Sequence, residues 1–336
     1  MISSDEWRNG MSSIPYSRYL IYPLPWYSVL IVTGMVLAVI LTWRRESSAG
    51  LPKDTVIDLA LRILPCGIIG ARIYYVVFTW DHFRNNIWSV FRIWEGGIAI
   101  YGGIIGGLIA LMVFCCRREL SVLLLCDLIA PGLALAQGIG RWGNWFNIEA
   151  YGIRINCQRL CFFPFAVQVP ADGYAWHMAS FFYESLWDIC IFIFLMTARD
   201  RRLKEKGDVF FFYLFLYSAG RLVIEETRTD SLYLISSVRI SQLISVLLCA
   251  IILVRYLIIA IRRNGSVTVL TKFVFLPLAL LGFAFAMVYA VFGSLFASWS
   301  AFRILLCLSV SSLLMISCLF SACFSGYSCE VSHADN

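Results

Sequence analysis

The chain has 336 residues, of which 60% are apolar and only 14% charged, with a formal net charge of +6. Soluble domains carry about 25% charged residues, so a soluble fold is excluded. The positive balance is no nucleic-acid footprint either, because the 27 Lys and Arg residues sit in short clusters between apolar runs, where they report membrane topology.

Those runs recur near the ~20 residues a helix needs to cross the hydrocarbon of a bilayer. Residues 1–19 are polar and do not read as a cleavable signal. The pattern then predicts a first span over 22–43, ending at Trp43-Arg44-Arg45. A second, over 55–79, contains Arg62, Arg72 and the small-residue stretch 67–71. A third, over 97–116, ends at Arg117-Arg118, and a fourth, over 121–138, leads into a polar stretch at 137–152. Residues 150–176 read as a loop-like extramembrane piece, in which Cys157 and Cys161 form either a disulfide or two free thiols. The fifth span is 177–198, the sixth 208–224 and the seventh 238–260. Two further apolar runs, 273–293 and 303–325, form a C-terminal two-span hairpin. The expected fold class is all-α, a polytopic transmembrane helical bundle with seven core spans plus that hairpin. The expected domains are 1–265 and 266–336.

The basic residues set the orientation. With the N-terminus outside, the inner loops hold thirteen of the 27 Lys and Arg residues, and no Lys remains outside. The polar stretch then faces away from the cytoplasm. No internal repeat is visible, which counts against a transporter built from duplicated halves.

The chemistry concentrates in residues 137–152, QGIGRWGNWFNIEAYG. A guanidinium (Arg141), two carboxamides (Asn144, Asn147) and a carboxylate (Glu149) follow a membrane-like run. Charges at that depth cost several kcal/mol, about 3 on insertion scales, so they usually face a cavity or a partner. A structural Arg141–Glu149 pair is the simplest reading, but it leaves the carboxamides unused. A second group is Gly220-Arg221 with Glu225 and Arg228, where Arg221 and Glu225 are spaced for an i,i+4 salt bridge. Arg141 and Arg221 together suit a bidentate anion, and in a membrane that anion is a phosphodiester. Glu149 or Glu225 then orients an arginine or takes a proton. A third group is Tyr101, beside Gly102, Gly103, Gly106 and Gly107, whose spacing suits close helix packing. His177, alone at the mouth of the fifth span, reads as a hydrogen-bonded structural residue. No metal or cofactor motif is visible.

The segment GRWGNWFNIEAYG resembles the signature of bacterial prolipoprotein diacylglyceryl transferases, G-R-x-G-N-F-x-N-x-E-x-x-G, through Gly140, Arg141, Gly143, Asn144, Asn147, Glu149 and Gly152. Trp145 replaces the usual Phe. Residues 70–76, 93–103 and 127–137 are similar to further family motifs, as is Gly220-Arg221 with Glu225 and Arg228, so the resemblance covers about 20–262. It implies seven spans with the N-terminus outside, in the bacterial cytoplasmic membrane, and an extracytoplasmic active site. The implied reaction moves the diacylglyceryl group of phosphatidylglycerol onto the lipobox cysteine of a preprolipoprotein signal peptide, releasing glycerol phosphate. It needs the lipid bilayer and no nucleic acid. Arg141 is implied to bind the headgroup, with Asn144, Asn147, Gly152 and Tyr27 in the same substrate site and Glu149, Arg221 and Glu225 in the chemistry. Two departures stand out. Tyr101 occupies a position where many members have His, and Met178 one where Pro is usual. A phenol with a pKa near ~10 is a poor base at neutral pH, so Tyr101 suits hydrogen-bond donation. Glu225, Glu149 and the leaving phosphate remain as candidate bases. The alternative function is a membrane transporter, or an inactive relative, that binds phospholipid headgroups.

Overall fold

A computed structural model describes residues 17–155, 160–198, 206–229, 233–235 and 238–264. The two C-terminal apolar runs and Cys157 lie outside the described residues. Among the described residues seven long helices follow the predicted spans closely: α1 (Trp26–Arg44), α2 (Thr55–Phe78), α3 (Ile100–Arg118), α4 (Val122–Asn147), α5 (Ser180–Ala198), α6 (Asp208–Thr227) and α7 (Ile240–Asn264). Three short antiparallel pairs accompany them, an addition to the all-α expectation: β1 (Tyr19–Ile21) with β2 (Leu24–Pro25), β3 (Ala166–Val169) with β4 (Ala175–Met178), and β5 (Tyr233–Ile235) with β6 (Val238–Arg239). Four helices, α1, α3, α4 and α5, are long and apolar enough to cross a membrane, which makes this a multi-pass helical membrane protein.

The largest departure from expectation is α4. It continues past 138 to Asn147, so most of the polar stretch is helical. Glycine is a poor helix former in isolation, but here it admits neighbours. A Cβ on Gly138 would meet Ile189 at 2.9 Å, and one on Gly143 would meet the Tyr27 ring at 2.7 Å. Packing therefore outweighs the low propensity.

The chain divides into two compact units, Val36–Gly132 and the remainder. In Val36–Gly132, α2 and α3 pack through glycine. A Cβ on Gly102 would press into the Gly70 carbonyl, and one on Gly106 into the Cys66 carbonyl. Gly103 and Gly107 are looser, with the nearest atoms at 3.6 and 3.7 Å. Gly102→Val should therefore destabilise the protein by about 2–3 kcal/mol through overpacking. Gly103→Ala should be neutral or stabilise by up to ~1 kcal/mol. Thermal unfolding in detergent would separate the two, and equal losses would refute the assignment of the contact face.

The same unit buries two charged groups with purposes of their own. Glu46 accepts hydrogen bonds from the backbone N–H groups of Asp54 (2.7 Å) and Val56 (3.1 Å), satisfying donors that the start of α2 leaves without partners. Arg72 donates to the carbonyls of Ser89 (2.7 Å), Val90 (2.8 Å), Arg92 (3.4 Å), Gly96 (2.6 Å) and Gly97 (2.8 Å). Beside it, Ala99 N–H donates to the Ala71 carbonyl at 3.1 Å. One guanidinium thus gathers the loop that leads into α3.

In the remainder, α5, α6 and α7 bury Leu195, Phe212, Phe215 and Ile252, all at or below 2% exposure. Trp187 covers Gly220, where any Cβ would overlap the indole, and its Nε1–H donates to the Leu216 carbonyl at 3.0 Å. The β3–β4 hairpin occupies the segment expected to be a loop. Its Val167 joins Ala179 and Phe181 in a small core covered by Trp142, Trp145, Phe163 and Phe182.

Candidate active site

Three helices bring a cluster of opposite charges together within the remainder unit. Arg141 comes from the last two turns of α4, and Arg221 and Glu225 from α6. Glu184, one turn into α5, supplies the group that joins them. Its carboxylate is 4% exposed, with Oε2 3.0 Å from an Arg141 guanidinium nitrogen. Its Oε1 takes a guanidinium nitrogen of Arg221 and, at 3.1 Å, one of Arg228. Three guanidinium groups therefore converge on one buried carboxylate.

Each of the two central arginines has a second anchor. Arg221 pairs with Glu225 at 2.8 Å, the i,i+4 bridge that the spacing predicted. Arg141 lies 4.0 Å from Asp188, one turn beyond Glu184 on α5, and donates to the Tyr217 hydroxyl at 3.4 Å. The Tyr213 hydroxyl donates to the Gln137 side-chain oxygen at 2.9 Å, and its ring stacks on Tyr217, so polar groups continue along α4 and α6. Arg239 of β6 donates to the Glu225 carbonyl. The partners of Arg141 here are Glu184 and Asp188 rather than the Glu149 of the simplest sequence reading.

The chain after α4 is shaped by two non-glycine residues in the left-handed region, Ile148 (φ 56°) and Ala150 (φ 54°). Each such residue costs roughly 1–2 kcal/mol. They flank Glu149, which is exposed. Glu149 and Asn144 line a pocket with Trp145, Tyr151, Gln168 and Phe181. Asn147 accepts a hydrogen bond from Arg18 at 3.1 Å, and Tyr27 packs on Gly143.

Gly152 is a structural hub. Its N–H donates to the Met178 carbonyl at 2.8 Å, and the next N–H, of Ile153, donates to Thr227 at 2.8 Å. A Cβ there would come within 2.7 Å of the Thr227 carbonyl and 2.6 Å of the Ser180 hydroxyl. The pairing of Gly152 with Arg228 sets Arg228 at the end of α6, where it reaches Glu184. His177 bridges the Gly152 carbonyl (2.8 Å) and Asp172 (2.9 Å), the hydrogen-bonded structural role expected of it.

The structure thus gathers Arg141, Arg221 and Glu225 in one cluster, and Asn144 with Glu149 in one pocket. Tyr101 belongs to the Val36–Gly132 unit, in the first turn of α3, where its ring lies 6.4 Å from that of Tyr74. Glu184 and Asp188 escaped the sequence reading. Their signal was there: two carboxylates four residues apart inside an apolar run share a helix face, and such groups inside a span are usually functional.

Comparison with known proteins gives the same direction. Residues 18–259 match the family model described as "Prolipoprotein diacylglyceryl transferase". A phosphatidylglycerol–prolipoprotein diacylglyceryl transferase of Limosilactobacillus reuteri is 43% identical over 250 residues, 73% of this chain and 90% of the relative. The protein of that name from Streptococcus mutans is 44% identical over 243 residues, covering 71% and 91%. One from Streptococcus agalactiae is 42% identical over 250 residues, covering 74% and 95%.

Proposed function

The chain belongs to the prolipoprotein diacylglyceryl transferase family, and from that premise we infer that it transfers the diacylglyceryl group of phosphatidylglycerol to the cysteine thiol of a prolipoprotein. The acceptor is the lipobox cysteine of the signal peptide, and the reaction occurs at the outer side of the bacterial cytoplasmic membrane. All seven helices span that membrane with the N-terminus outside, a reading supported by the basic loops. Residues 1–265 carry the transferase.

The observation that carries the reading is the meeting of Arg141 and Arg221 on one anionic seat. A phosphodiester presents two oxygens to such guanidinium forks as a carboxylate does. The substrate thiolate attacks the glycerol carbon that bears the phosphate ester. The S–C bond forms, the C–O bond breaks, and its electron pair remains on the phosphate oxygen. Charge therefore grows on the leaving phosphate, where Arg141 and Arg221 stabilise it. Glu225 is committed to holding Arg221. Glu149, exposed beside Asn144, takes the thiol proton. Asn147, Gly152 and Tyr27 shape the substrate site around α4.

The test is a transfer assay with phosphatidylglycerol and a lipobox peptide bearing one cysteine, beside its Cys→Ser counterpart. The expected result is a diacylglyceryl mass gain on the cysteine peptide alone, with equal release of glycerol phosphate. No gain, with lipid still bound through Arg141, would favour the headgroup-binding transporter or an inactive relative. In the same assay Arg221→Lys should lower turnover roughly 10- to 100-fold, because a point charge does not replace a bidentate fork. Turnover within a factor of two of the parent would contradict that role.

A further inference from the structure

We infer that Glu184 is an internal anion that competes with the substrate's phosphate for the arginine cluster, limiting substrate affinity and driving release of the phosphorylated product. The inference rests on the assignment of Arg141 and Arg221 to the phosphodiester. Its basis is the way the anchors are distributed. Arg221 keeps Glu225 at 2.8 Å, and Arg141 keeps Asp188 at 4.0 Å and the Tyr217 hydroxyl at 3.4 Å. Glu184 is the carboxylate that all three guanidinium groups share, through Arg141, Arg221 and Arg228. Arg141 and Arg221 would therefore retain a partner if Glu184 let go. A shared group that the cluster does not need for its own placement is suited to exchange.

The chemistry of exchange fits. Carboxylate and phosphodiester are both monoanions that offer two oxygens to a guanidinium fork, so they compete for the same nitrogens. The product is different. A phosphate monoester carries about −1.5 to −2 charges at neutral pH, because its second pKa is near ~6. Unopposed arginines would hold it more tightly than they hold the diester, and turnover would stall on product. A carboxylate one turn into α5, already within reach of every arginine, returns to the seat and displaces it. Weakening the ground-state grip in this way leaves room for contacts that strengthen only as charge builds on the leaving group.

The experiment measures binding of glycerol phosphate to the detergent-solubilised full chain by titration calorimetry, alongside first-turnover and steady-state transfer. Glu184→Gln keeps the shape and removes the charge. It should bind glycerol phosphate roughly tenfold or more tightly than the parent, since a like charge has been removed from the seat. It should also slow in steady state relative to its own first turnover. Glu184→Asp draws the carboxylate back by one methylene and should shift binding in the same direction by less. If Glu184→Gln shows no cooperative melting transition, Glu184→Asp decides alone. Unchanged or weaker binding in the folded variants, with parent binding still abolished by Arg141→Ala, would overturn the inference and make Glu184 a fixed anchor. Parent binding that survives Arg141→Ala would instead overturn the phosphate assignment beneath it.

Discussion

Arg141→Ala should reduce diacylglyceryl transfer roughly 100- to 1,000-fold, the loss typical of removing one preorganised donor from a developing negative charge. The inserted protein should otherwise be intact. Glu184 keeps Arg221 and Arg228, so its buried charge stays compensated. Asp188 alone loses its cation, at 4.0 Å a loose pairing. The deficit should appear in kcat as well as KM, because a phosphate ligand that tightens in the transition state contributes to both. Arg141→Lys should recover little. The measurement is the transfer assay on variants purified to equal monodispersity. Turnover within tenfold of the parent for Arg141→Ala would remove Arg141 from the chemistry.

Arg72→Met should be the most damaging substitution for folding, costing about 3–5 kcal/mol. That is the scale for losing about two net hydrogen bonds to a charged group, at ~1.5–3 kcal/mol each. Five loop carbonyls between Ser89 and Gly97 lose their donor at once. Arg72 is only 7% exposed. Arg72→Lys should rescue less than half of the loss, since an ammonium has three donors and no planar fork. Thermal unfolding and protease resistance of residues 87–99 would report it. A melting temperature within 2 °C of the parent, about 1.4 kcal/mol on the usual scaling for a chain of this length, would show that the loop is held by other contacts.

The two predictions differ in how far the sequence led to them. Arg141 announces itself, as a guanidinium closing an apolar run beside two carboxamides and three glycines. The Arg221–Glu225 pair is equally legible, since helical spacing places them on one face before any tertiary contact is known. The carbonyl cage of Arg72 is not. The motif at 70–76 marks the residue, but nothing local says that its partners are backbone oxygens up to 25 positions away.

The same division runs through the whole molecule. The helices, their ends within a few residues, and the membrane setting were determined by the sequence itself. Hydropathy and helical period are sums over neighbours, and a span of about 20 apolar residues has few other ways to satisfy its backbone in lipid. The exception, the extension of α4 to Asn147, came where glycine propensity argued one way and packing against Ile189 and Tyr27 the other. The pairing of charges between helices was decided only by the tertiary structure. Arg141 could meet Glu149 eight residues on or Glu184 far down the chain, and nothing in the local pattern prefers either. The fold chose Glu184, 37 residues from Arg221, because α4, α5 and α6 pack with those faces together. Glu149 was turned to an exposed position by the left-handed residues on either side of it. Coulomb attraction depends on distance in space and not along the chain, so the anion seat, and Glu184 within it, exists only once the helices are assembled.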